Sequence, residues 1–159
     1  VREMTQLIYR RANLSDLEML VLIRMEVLIA ANRLPIDTDM SAVGQATREY
    51  YKNRLETDSH IEYLVLAGDQ FVACGSLSVY DVMPTYCNPS GRKGYVMNMY
   101  TRPDYRRQGI ALKVLEHLVK DAKELGITQI QLEATDMGKP LYQQFGFVEL
   151  TSEMELGCK

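Results

Sequence analysis

The segment Arg106-Arg107-Gln108-Gly109-Ile110-Ala111 sets two arginines and a glycine where a β-rich run has ended and an apolar helical pattern begins, just past the turn residues Pro103-Asp104. A helix N-terminus presents unpaired N–H groups and the positive end of its dipole, which makes it an anion site. Glycine at that point lets backbone approach a phosphate with no Cβ in the way. Arg106 and Arg107 add charge and bidentate donors, which suits a diphosphate. The same residues would also serve an ordinary helix start with solvated arginines, so the surrounding elements decide the reading.

Other catalytic chemistries find few residues. The chain has two histidines, His60 and His117, and three cysteines, Cys74, Cys87 and Cys158, none paired at metal-ligand spacing, so no metal is expected. His117 sits among Glu116, Lys120 and Asp121 on the polar side of a helix and reads as a solvated surface residue. His60 opens a strand. Gly138-Lys139 is followed by Pro140 and lacks the upstream glycine of a P-loop, and no G-x-G-x-x-G run occurs, which argues against kinase and dehydrogenase chemistry.

Residues 7–12 alternate as a first strand. Ser15 with Glu18 forms a capping box that opens a helix running to about residue 32, with Leu17, Leu20, Val21, Val27, Leu28 and Ala31 facing inward. A second helix is expected over 42–55. Runs 61–67 and 71–80, joined by Gly68-Asp69-Gln70, make an antiparallel hairpin. The polar stretch 81–93, with Pro84, Asn88, Pro89, Ser90 and Gly91, is a long loop of the kind that often carries function. Strand 95–101 leads to a helix over about 108–125 that buries Ala111, Leu112, Leu115, Leu118, Val119 and Ala122 and stops at Gly126. Strand 127–134 follows, then a short helix 137–145 capped by Asp136 with Pro140 in its first turn, then a last strand 147–156. The order β-α-α-β-β-β-α-β-α-β gives an α/β fold, a central mixed, mostly antiparallel twisted sheet of about six to seven strands with helices on both faces.

At 159 residues the chain fits one domain over 1–159, and 47% apolar with 25% charged residues supports a sizeable core. Lys and Arg number 18 against 21 Asp and Glu, a net charge of −3 that disfavours nucleic-acid binding. Scattered cysteines, odd in number, fit a reducing compartment. The N-terminus lacks signal-peptide patterning, and the longest apolar stretch, 19–31, is interrupted by Arg24 and Glu26 and too short for a bilayer. A cytoplasmic protein without membrane association is expected.

Arg106-x-x-Gly109-x-Ala111 after strand 95–101 resembles the acyl-CoA signature, Arg/Gln-x-x-Gly-x-Gly/Ala, of the GNAT superfamily of N-acetyltransferases. Leu141-Tyr142-Gln143-Gln144-Phe145-Gly146-Phe147 resembles the family's terminal motif, in which a tyrosine on a short helix precedes Gly-Phe. The two matches come in the family's order and together cover about 94–156. The resemblance implies acetyl-CoA as cosubstrate, an amine of a small molecule or protein as acceptor, and compatibility with a homodimer. It implies that strands 95–101 and 127–134 splay apart around acyl-CoA. Backbone near Met99, Tyr100 and Thr101 would hold the pantetheine arm, and the N–H groups of Arg107, Gln108, Gly109, Ile110 and Ala111, with Arg106, the pyrophosphate. Tyr142 is then the catalytic residue, because a phenol of pKa about 10 can protonate a thiolate whose thiol has a pKa of about 8.5. Its plain alternative is a core tyrosine between Phe145 and Phe147.

The chain departs from the family pattern at three places. Thr135 stands among the cofactor contacts where many relatives carry asparagine, and Gly138 where they carry alanine. The strand before the signature reads Val96-Met97-Asn98-Met99, where relatives often place a glutamate as general base, and Asn98 cannot accept a proton at neutral pH. Glu62, Asp81, Glu133 and His60 are substitutes, though such side chains are more often surface charges or structural partners, and a water chain would also serve. Cys74 and Cys87 could carry an acyl group, but Cys74 in a strand is better read as packing. Asp37, Asp39, Asp58 and Asp81 in loops would favour a cationic acceptor. Beside the enzyme stand an acyl-CoA-binding regulatory or interaction domain without activity, and a nucleotide-binding protein that prefers ATP or NAD.

Overall fold

The structure, a computed structural model, describes residues 5–157, so Cys158 lies outside the described residues. Its elements run β1 Leu7–Arg11, α1 Leu17–Asn32, α2 Ser41–Arg54, β2 His60–Ala67, β3 Gln70–Asp81, β4 Arg92–Thr101, α3 Ile110–Glu124, β5 Gln129–Leu132 and α4 Lys139–Phe145. The five strands form one sheet in chain order, antiparallel except for the parallel pair β4–β5. Helices cover both faces as expected, on a sheet of five strands rather than six to seven.

The two faces follow from the two-residue period of β2. Ile61, Tyr63 and Val65 point at α3, where they pack with Val114, Leu115 and Leu118. Leu64 and Leu66 point the other way, against Leu20, Val21 and Val27 of α1 and Tyr51 and Leu55 of α2. β2 therefore has no solvent face and is buried almost throughout. His60 and Glu62 fall on the α1–α2 side of the strand, at 3% and 0% exposure. Neither is the surface charge that its type suggests. Among the described residues no helix is long and apolar enough to cross a membrane.

Several boundaries differ for local reasons. Asn13, not Ser15, caps the first helical turn: its side chain accepts from Ser15 N while Asp16 reaches back to Asn13 N, and Glu18 is free to pair with Arg48 of α2. On α1, Ile23 is buried and Ala31 exposed. On α3, Ile110 and Val114 are buried, whereas Ala111 and Leu112 are half-exposed one position round the helix. The 82–91 loop is pinned by Asn88, buried and bonded through Nδ2 to Arg92 O and Gln129 Oε1. The last strand does not form. Residues 147–157 hold no ladder with β5, and Val148 and Met154 stand at 82% and 98% exposure with no apolar layer to cover them.

Candidate active site

A bulge in β4 organises the site. Cys74 of β3 pairs with Tyr100 and Ser76 with Met97, so Asn98 and Met99 of β4 sit opposite a single residue, Gly75. Asn98 takes the left-handed conformation, φ +57°. Two consecutive side chains, Met97 and Asn98, consequently face α1 and α2, while Met99 turns back to the α3 side. The bulge also ends the parallel pairing: the β4–β5 ladder stops at Val96 with Leu132, which is why β5 is shorter than the expected 127–134. Residues 97–101 run on with no strand beside them on that side, and β4 and β5 part there.

At the end of this free stretch the chain makes a short helical turn, Pro103–Tyr105, and enters α3 through Arg107 at φ +63° and Gly109 at φ +77°. Gly109 is the N-cap and offers no side-chain cap. A Cβ built on it meets nothing within 4 Å. The N–H groups of Arg107, Gln108, Gly109, Ile110 and Ala111 have no hydrogen-bond partner among the described residues. This is an open nest of donors at the positive end of a fifteen-residue helix. Arg106 is turned away from it: Nε donates to Thr101 O at 3.0 Å and the guanidinium lies over the Tyr100 ring, which ties the loop to the end of β4.

Tyr142 projects from α4 into the apolar layer that also holds Met99, with its ring edge-on to Phe147. Its hydroxyl has no hydrogen-bond partner among the described residues, and burial pushes the phenol above its ordinary value, so it stays protonated. Thr135, rather than Asp136, makes the turn into α4: Oγ1 accepts from Gly138 N, and its carbonyl accepts from Gly138 N and Lys139 N. A cleft of about 820 Å³ lies on the free edge of β5, between that strand, α4 and the chain after it. Tyr142 lines it; Met99 and the 106–111 loop do not.

On the opposite face, a second cavity of about 340 Å³ is walled by Arg24, Thr47, Tyr50, His60, Ser78 and Asn98, among others. Glu62 is the hub behind it. Oε1 accepts from Tyr51 OH and Asn98 Nδ2, both at 3.1 Å, and Oε2 meets Ser76 Oγ and His60 Nε2, the latter at 2.7 Å. His60 Nδ1 lies 2.8 Å from the Tyr50 hydroxyl, which lies 2.8 Å from Ser78 Oγ. Arg24 Nη1 donates to Asn98 Oδ1 at 3.0 Å. Burial, reinforced by the Glu62 charge, raises the Tyr51 phenol and keeps it a donor.

The acetyltransferase (GNAT) family model matches residues 29–147. The chain belongs to this family. A crystal structure of a predicted acetyltransferase with acetyl-CoA from Clostridium acetobutylicum superposes with a TM-score of 0.87 at 35% identity, covering 96% of both chains. A GCN5-related N-acetyltransferase from Ralstonia eutropha superposes at 0.81 with 26% identity, covering 96% of this chain and 99% of that one. In sequence, an uncharacterized N-acetyltransferase of Bacillus subtilis, YsnE, is 31% identical over 50% of this chain and 50% of its own. A thialysine N-epsilon-acetyltransferase of Bos taurus is 33% identical over 46% of this chain and 45% of its own. The chain spans about half the length of the curated relatives it matches.

In this GNAT chain Met99, Tyr100, Thr101 and the 106–111 loop lie along one continuous path, from the unpaired end of β4 to the start of α3. Thr135 is exposed and committed to its own turn. Asp81 and Glu133 are exposed and Cys87 is exposed, whereas Cys74 is buried and donates to Asn98 O. His117 is half-buried and stacks on Tyr63 at 4.9 Å, so it is only partly solvated. The contacts of Tyr50, Tyr51, Ser76 and Asn98 with the His60–Glu62 pair, and of Arg24 with Asn98, were not legible in sequence. The one available signal was a charge inside the apolar run Ile61 to Ala67.

Proposed function

We propose that the chain is an N-acetyltransferase that moves the acetyl group of acetyl-CoA to a primary amine by direct attack in a ternary complex. The observation that carries this reading is the open nest from Arg107 to Ala111, beside the stretch of β4 that has lost its neighbour. A diphosphate needs converging donors and no Cβ in its way, and Gly109 leaves that space. Residues 97–101 supply backbone groups for an extended amide-bearing arm like pantetheine. When bound, acetyl-CoA supplies an activated thioester carbonyl. Backbone at the β4 bulge would polarise that carbonyl, and Tyr142, held protonated by burial, would hand its proton to the departing sulfur. The related thialysine acetyltransferases, by name, act on an amine, which supports that acceptor class. No covalent enzyme intermediate is needed, and the burial of Cys74 agrees with this.

A second reading, a silent acyl-CoA-binding domain, draws support from Asn98 on β4, since an amide is no proton acceptor. Calorimetric titration with acetyl-CoA, CoA and ATP, with Arg106→Ala and Gly109→Asp as controls, separates the possibilities. Micromolar acetyl-CoA binding that is lost in the controls and absent for ATP is the expected result. A folded sample that binds no acetyl-CoA overturns the assignment, and binding without CoA release with any amine favours the silent domain.

A further inference from the structure

We infer that Tyr50 and His60, backed by Glu62, form a proton relay on the wall of the cavity between α1, α2 and the sheet that takes the proton of the acceptor amine. The inference rests on the acetyltransferase reading and supplies the base that β4 lacks.

Donor and acceptor accounting fixes the direction of the relay. Glu62 is fully buried and its two oxygens face a phenol, an amide, a hydroxyl and an imidazole nitrogen. As a carboxylate it accepts from all four. His60 Nε2 therefore carries the hydrogen, which leaves Nδ1 as an acceptor for the Tyr50 O–H. With its hydrogen on Nδ1, the Tyr50 oxygen accepts from Ser78 Oγ on one lone pair and keeps the other, on the cavity wall, for an incoming proton while it passes its own to Nδ1. No tyrosinate forms in that transfer, so burial of the phenol does not oppose it. The imidazolium that results sits 2.7 Å from Glu62, the one arrangement in which a buried cation is directly compensated.

Location supports the same role. Met97 and Asn98 line the cavity and directly precede Met99, so the cavity borders the bulge whose backbone, in the proposed function, polarises the thioester carbonyl. Arg24, which pairs with no carboxylate among the described residues, puts a positive charge on the same wall and disfavours an ammonium. The amine must arrive neutral or be neutralised there. The balance closes. An ammonium gives one proton through Tyr50 to His60, its nitrogen bonds to the thioester carbon, and the carbon–sulfur bond breaks. The second nitrogen proton offsets the one Tyr142 gives to sulfur, and His60 releases its proton to solvent, so the products are amide, CoA thiol and one proton.

The test compares amines of different basicity in wild type, Tyr50→Phe and His60→Gln, reading CoA release at pH 7.5 after acetyl-CoA affinity and melting are checked. A panel of aliphatic primary amines, protonated at that pH, needs the relay; methoxyamine, already neutral, does not. Each variant is expected to lose about 100-fold or more in kcat/KM with the aliphatic amines and no more than about threefold with methoxyamine. Equal losses with both kinds of amine, or no loss with either, overturn the relay. If His60→Gln does not fold, Tyr50→Phe keeps the ring packing and carries the comparison alone. Nitrogen-15 NMR of the free protein adds a readout independent of turnover: the Nε2–H tautomer of His60 is expected, and the Nδ1–H tautomer overturns the assignment. Wild-type protein that binds acetyl-CoA but acetylates no amine overturns the relay and leaves the cofactor site standing. Wild-type protein that fails to bind acetyl-CoA overturns the acetyltransferase reading beneath it.

Discussion

Asn98 donates its side-chain amide to Glu62 Oε1 at 3.1 Å from a backbone held at φ +57°, so the bulge of β4 and the buried carboxylate of β2 are one structural unit. Asparagine tolerates the left-handed region better than other side chains, and its two ends answer two charges, with Arg24 on Oδ1 and Glu62 on Nδ2. Replacing it by Gly removes both bonds but keeps the backbone at ease, costing about 1–3 kcal/mol for a buried charged acceptor left short of a donor. Replacement by Ala costs about 1 kcal/mol more, because its Cβ opposes the positive φ. Urea unfolding of Asn98→Gly and Asn98→Ala measures both steps; equal stability of the two variants would show that the bulge relaxes.

Gly109 and Gly126 share almost the same backbone, φ +77° and +75°, at the two ends of α3, and a Cβ at either meets nothing within 4 Å. Alanine at either position should therefore cost a similar ~1 kcal/mol of stability. Only Gly109 belongs to the donor nest. Gly109→Ala should weaken acetyl-CoA binding about tenfold, 1.4 kcal/mol, while Gly126→Ala leaves it unchanged. Calorimetry on the pair separates backbone strain from ligand approach, and parallel losses would take Gly109 out of the cofactor site.

The helices and strands that carry period-2 and period-3.6 patterns were readable in sequence, and so was the loop with Gly109, because a helix start and a glycine are local signals. What was not local was legible only in part: Glu62 and His60 stood among the candidate bases, but their partners did not. Glu62 is a charge in an apolar run, and its donors come from Tyr51, Ser76 and Asn98, residues that only the sheet register and the docking of α2 bring near. The capping box slipped by two residues because Asn13 competes with Ser15 for the same role. For 147–156 the alternation of apolar and acidic residues is strand-like, but Lys139 pairs with Glu149 near α4 and no ladder with β5 forms. A period describes what a segment can bury, not whether a partner is present to bury it.

Arg10 grips Asp16 with two bonds of 2.8 and 2.7 Å, and Asn13 N adds a third at 3.0 Å. These bonds, the arginine's first, hold the Asp16 carboxyl below its usual range against the opposing effect of burial. A carboxyl whose folded pKa lies below its unfolded value of about 3.9 stabilises the protein above that pH and loses the contribution as pH falls through the folded value. Asp16→Asn should cost about 1–2 kcal/mol at neutral pH and flatten the acid limb of the melting curve. Melting temperatures of both proteins between about pH 2 and 7 check this. Acid limbs of equal steepness would show that Asp16 is not a linkage site.

Tyr142 is the residue where packing and chemistry give opposite expectations. Phe at this position keeps the edge-on contact with Phe147 and the place in the apolar layer, and the hydroxyl it removes bonds to nothing among the described residues. Tyr142→Phe should therefore leave stability within about 0.5 kcal/mol of wild type. If the phenol protonates the leaving sulfur, kcat falls by about 100-fold or more while acetyl-CoA affinity barely changes. Burial raises the phenol, so the neutral donor persists further into alkali than an ordinary tyrosine, and no alkaline loss of rate near pH 10 is expected from this group. Single-turnover rates from pH 7 to 10, with affinity measured separately, decide the role. A Phe variant with unchanged turnover would leave Tyr142 as packing and the sulfur to be protonated by solvent.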